Sequence, residues 1–237
     1  MRSLLWKEWH EQSWKLAFSC ILLGAMAAIG LHSRIISDSD TMIWVCLVGM
    51  ALPISYSSGL LPAERDDGYF ESLIALPVTP WKILLAKTFM GLVLCIVPFG
   101  LALGVTLLTA GDREMSDLAV IALYVRSIFA AVILFVWMMT LTSQLPNETR
   151  AGLLSVALLA GWLMLGFGLI AFRDQKFAPT LTPIAFALDV QKPNGREGAP
   201  EYLPDYWPAA VAIQLAMAAA LWLWASRRFA GCEEGRR

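Results

Sequence analysis

Few residues in this chain are of types that do chemistry, and their spacing keeps them apart. The histidines, His10 and His32, have no Cys or His at the short separations a metal site needs. Cys20, Cys46 and Cys95 each lie inside apolar runs, and Cys232 stands near the C-terminus. The spacing therefore predicts buried apolar thiols, structural or interfacial histidines, and no metal ligand. No G-x-x-x-x-G-K-[ST] phosphate loop occurs, so the sequence encodes no cradle for hydrolysing ATP. An intramembrane enzyme would want paired acids, a His cluster or a Ser/His arrangement at membrane depth. The apolar segments offer none, and no catalytic residue is expected.

One charge does stand deep in an apolar run. An Arg in hydrocarbon costs about 2.5–3.5 kcal/mol on insertion scales, so Arg126 needs water, a partner or a short route to the headgroups. Two readings follow for Arg126: it reaches outward along its helix, or it lines a translocation path or contacts a second protomer.

The elements that must carry these residues are legible in composition. Of 237 residues, 58% are hydrophobic and 16% charged, whereas soluble domains average about 45–50% and about 25%. The formal net charge of -1, with no basic patch, argues against nucleic acid. A bilayer core of about 30 Å needs roughly 20 apolar residues in a helix. Six such runs appear, over 16-32, 42-61, 83-110, 118-143, 152-172 and 207-226. The expectation is an all-α membrane protein with a single six-helix transmembrane domain over 16-226 and a tail over 227-237. With both termini inside, eleven Lys and Arg fall on the cytoplasmic face and six on the other, which the positive-inside rule favours. The first fifteen residues hold three Trp and charges of both signs, unlike the basic start of a cleavable signal.

Residues 1-15 read as an amphipathic interfacial helix lying on the inner leaflet. Leu5, Trp9 and Leu16 share an arc with Trp6 beside it, and Lys7, Glu8, Glu11 and Lys15 gather opposite. Gly100 and Gly104 form a G-x-x-x-G pair, read as packing within the chain ahead of a dimer seam. Pro53 and Pro98 interrupt their runs and could free carbonyls toward a cavity.

The segment from Pro62 to Lys82 is the most specific. Charges and Gly68 end the second run, Phe70 to Leu76 forms an apolar stretch too short to cross a bilayer, and Pro77 stops it. Thr79 followed by Pro80 is a helix start. A short surface helix before the third span is expected. Between the fifth and sixth spans, residues 173-206 form a Pro-rich outer loop with a second Thr-Pro start at Thr182, where a short helix is expected. Tyr202, Tyr206 and Trp207 read as an aromatic belt.

These features together resemble the membrane subunit of ATP-binding-cassette transporters of the type-2 exporter class. In that family an acidic cluster, Gly, an acidic residue, an apolar helix, Pro and a later Lys make the coupling helix that meets the ATPase. The matching positions here are Glu64, Asp67, Gly68, Glu71, Leu73, Leu76, Pro77 and Lys87, with Tyr69 where the family often has Thr. Trp6, Lys7, Glu8 and Trp9 resemble the opening of the family's elbow helix.

The resemblance implies a permease subunit that forms the translocation path, with Phe70, Leu73 and Leu76 as apolar contacts to the ATPase and Glu64 and Glu71 set for charged partners. It also implies a separate cytoplasmic ABC ATPase as partner. ATP and Mg would bind that partner and no cofactor would bind this chain. A permease homodimer or heterodimer in the cell inner (plasma) membrane, with both termini cytoplasmic, completes the expectation. The alternative is a membrane scaffold or sensor that binds a cytoplasmic partner without moving a substrate.

Overall fold

Each long apolar run becomes a helix, and polar side chains mark several of the starts. The computed structural model describes residues 2–33, 37–60, 79–109, 117–145, 147–171, 183, 187 and 207–234. Its helices are α1 (Arg2–Ser33), α2 (Asp38–Leu60), α3 (Pro80–Thr109), α4 (Asp117–Thr142), α5 (Glu148–Ala171) and α6 (Trp207–Glu234). All six are long and apolar enough to cross a membrane, and there is no strand among the described residues. The chain has the fold of a multi-pass membrane protein.

Before α2, the Ser37 hydroxyl accepts a hydrogen bond from the Asp40 N–H at 3.1 Å and donates to the Asp40 carboxylate at 2.8 Å. That reciprocal cap satisfies an N–H the helix start leaves open. Asn147 does the same for α5, accepting from the Arg150 N–H at 3.1 Å. Helix α3 begins at Pro80, as the Thr-Pro pair predicts.

The N-terminal segment differs from expectation. Residues 2–15 are the first turns of α1, continuous with the first span. Nothing between residues 2 and 23 is Pro or Gly, so no helix breaker separates the two parts. At 1.5 Å per residue the 32 residues of α1 extend about 48 Å, more than a core of about 30 Å requires. Helix α6 likewise runs past Ser226 to Glu234, where a tail is expected.

Helix α4 sits at the centre, packing against α2, α3, α5 and α6, while α1 lies along α3. Glycines admit the large rings of the core: an added Cβ on Gly49 would meet the Phe99 ring, and one on Gly91 the Phe135 ring. Gly100 and Gly104 behave otherwise. A Cβ at either would meet nothing within 4 Å. Among the described residues, then, no neighbour of the G-x-x-x-G pair comes as close as the rings that Gly49 and Gly91 admit.

Candidate functional site: a buried ion pair between α1 and α3

Helix α1 buries one stripe, Leu4, Glu8, Gln12, Ser19, Leu23, Ala27 and Leu31, at the three- and four-residue steps of a single helix face. Two members of that stripe are polar in its first three turns. Opposite them, α3 presents Ile83, Ala86 and Lys87, all buried. The Lys87 ammonium donates to Glu8 Oε1 at 2.7 Å, with the two side chains 1% and 3% exposed. Leu4, Ile83 and Ala86 form a small apolar cluster, with Leu5 packed on it, beside the pair.

One turn beyond Glu8, the Gln12 amide oxygen is buried with no hydrogen bond from the described residues. Two full charges are thus held out of water by geometry and by each other. Such a pair adds little net stability, but losing one member is costly, because the other is left as an uncompensated buried charge.

Polar contacts at the same end tie in the other helices. Ser19 shares a hydrogen bond with Tyr56 of α2. Ser57 meets Ser155 of α5 at 3.1 Å. The Thr88 hydroxyl, next to Lys87, accepts from Trp222 Nε1 of α6 at 3.1 Å, and Trp222 meets Trp81 edge-on at 4.8 Å. Lys15 lies in the field of Glu148, Glu8, Glu11 and Lys87. The N-termini of α1, α3 and α5 therefore gather at one end, as alternating crossings require.

Comparison with known proteins adds no family. No family model matches this chain. No curated protein matches it either. What the chain does has to be argued from its own residues.

The sequence-predicted positions divide into three groups. Glu64, Gly68, Phe70, Glu71, Leu73, Leu76 and Pro77 lie outside the described residues, as does nearly all of the outer loop. Trp6 and Trp9 are exposed, as a membrane-facing surface expects, and Lys7 pairs with Glu11 at 3.5 Å. Glu8 departs from the predicted polar arc: it faces α3, because the stripe through Leu4 and Gln12 is the one that docks.

Arg126 and Pro98 form the third group, and both are buried. Arg126 is only 6% exposed and stands beside Ser127 and near Cys46 of α2. An outward reach along the lipid face does not describe it. Protein encloses it between α4 and its neighbours. Only Lys87 carries a trace of its role in sequence, since it falls four residues inside the third apolar run. Nothing local says that they meet across 79 positions.

Proposed function

We propose that this chain is the permease subunit of an ATP-driven ABC transporter of the type-2 exporter class. In this reading it couples through residues 62–82 to a separate ATPase. The observation that supports it most is the Glu8–Lys87 ion pair at 2.7 Å. It joins the N-terminal turns of α1 to the first turns of α3, the helix into which the 62–82 segment leads.

A push delivered to that segment reaches α3 first, and the ion pair makes α1 move with it. A loose polar contact would slip, whereas a desolvated charge pair resists separation, because each partner would be stranded in low dielectric. Six apolar helices supply the membrane-embedded body. Partner binding can shift the bundle only by the difference in its contacts between two states of the ATPase. Phe70, Leu73 and Leu76 carry those contacts in this reading, with Glu64 and Glu71 beside them and Gly68 and Pro77 bounding the helix.

The test is ATP hydrolysis by complexes purified through a tag on this chain. Vanadate-sensitive hydrolysis should copurify with the native chain and be lost from a Leu73→Asp variant that expresses and folds normally. Undiminished hydrolysis with Leu73→Asp would sink the coupling role, and its absence from the native complex would remove the ATPase partner itself.

A further inference from the structure

At the end opposite the ion pair, an open groove of about 500 Å³ runs between α1 and α2. That volume lies within the range of small-molecule sites, about 300–1,000 Å³. Leu22, Met26, Ile29 and Trp44 line it with apolar surface, and Ser33 and Thr41 add hydroxyls. Trp44 is 57% exposed, so the groove opens sideways where a bilayer would be.

Its dimensions narrow the occupant. Along α1 the lining runs from Ser33 at the helix end inward to Leu22. Those eleven steps rise about 16 Å, close to half of a hydrocarbon core of about 30 Å. One leaflet is therefore spanned, from surface to midplane.

Its polar atoms narrow it further. Thr41 is 5% exposed, and its hydroxyl has no hydrogen-bond partner among the described residues. A buried hydroxyl in that condition is unusual and calls for an acceptor or donor from elsewhere. Ser33 already donates to the Gly30 carbonyl at 3.2 Å. Just past Thr41 stand Asp38 and Asp40 in the first turn of α2, with Asp40 exposed and fixed by Ser37. An apolar slot one leaflet long, a hydroxyl at the depth of an ester and carboxylates at headgroup level are complementary to one kind of molecule.

We propose that the α1–α2 groove is a binding site for one acyl chain of an amine-bearing, zwitterionic glycerophospholipid. Its ester carbonyl accepts from the Thr41 hydroxyl, and its ammonium meets Asp40. The site requires only that the helices cross a membrane and does not depend on the transport reading.

Trp44 provides the readout. The full chain is placed in nanodiscs of phosphatidylglycerol containing a minor fraction of chain-brominated phosphatidylethanolamine or, in parallel, chain-brominated phosphatidylglycerol. The Trp44 signal is taken as the difference between the native chain and Trp44→Phe. Bromine on phosphatidylethanolamine should quench it several-fold more strongly than bromine on phosphatidylglycerol; Asp40→Asn should erase that preference, and Thr41→Val, which removes the donor to an ester carbonyl both lipids carry, should weaken quenching by both. Ala25→Phe, which fills the groove, should reduce quenching by both lipids. Equal quenching in the native chain, or a preference that survives Asp40→Asn, overturns the proposal. A Trp44 shielded from both lipids does so too, and assigns the groove to a protein partner instead. Asp40 is exposed, so its variant tests the idea even where Thr41→Val disturbs folding.

Discussion

At the scale of single residues the chain turns on two buried charges that a membrane protein would not keep without cause. Removing one partner of the Glu8–Lys87 pair leaves the other stranded, which costs about 3–5 kcal/mol. Glu8→Gln and Lys87→Met should each lower the thermal midpoint in detergent sharply. The double variant should recover much of the loss, since two neutral groups need no compensation. Measured as a double-mutant cycle, additive losses would show that the two side chains do not act as a pair.

Arg126 calls for a different experiment, because its burial alone does not assign a role. If it lines the translocation path, Arg126→Gln should reduce transport at unchanged expression. Native-level transport by that variant would remove it from the path. In the sequence Lys87 reads only as the Lys that follows the coupling pattern, and the helical wheel of residues 1–15 sorts Glu8 with the solvated charges. The docked face is chosen by contact with α3, which no local pattern encodes.

Among the helices, what matters is which faces are filled. Gly91 and Gly100 stand on the same helix with opposite surroundings, so they make a controlled comparison. An added methyl at Gly91 collides with the Phe135 ring, and overpacking of this kind costs typically about 1–3 kcal/mol. At Gly100 a methyl meets nothing within 4 Å among the described residues, and alanine in place of glycine in a helix gains up to about 1 kcal/mol. Gly91→Ala should therefore destabilise the protein and Gly100→Ala should not. Phe135→Leu should relieve the first, all read by thermal unfolding in detergent. A harmful Gly100→Ala would show that another molecule packs there.

Helix boundaries were legible to within a few residues for the middle four spans, because apolar length and start signals at Thr79 and Pro80 are local properties. At the ends, the first helix reads in sequence as two, an interfacial helix and a span, and the last reads too short. Charged residues such as Lys7, Glu11, Arg227 and Arg228 suggested an end to the span, yet helix propensity carries both helices past it.

For the molecule as a whole, the arrangement of ends is the feature that transport, scaffolding and sensing all depend on. The Glu8–Lys87 and Trp222–Thr88 contacts bring the start of α1, the start of α3 and the later turns of α6 together. Ser37, by contrast, caps α2 at the other end. Six crossings make this layout self-consistent, and the expectation of its inside-outside sense rests only on the bias of Lys and Arg. The face expected to meet a partner rests only on resemblance, since an acidic cluster and a Pro-bounded apolar stretch do not by themselves say what they touch.

The layout can be tested without knowing the partner. With Cys20, Cys46, Cys95 and Cys232 replaced, single cysteines at Ser37 and Glu148, one beside each end of the bundle, report which side each occupies. A membrane-impermeant maleimide added to intact cells should label Ser37→Cys and spare Glu148→Cys, and inverted vesicles should reverse the pattern. Labelling of both from one side would break the six-crossing topology. Labelling of Glu148→Cys alone in intact cells would turn the protein over and place residues 62–82 away from cytoplasmic ATP. The coupling proposal would fail with it, while the buried pair and the groove between α1 and α2 would stand, because neither depends on which side is inside.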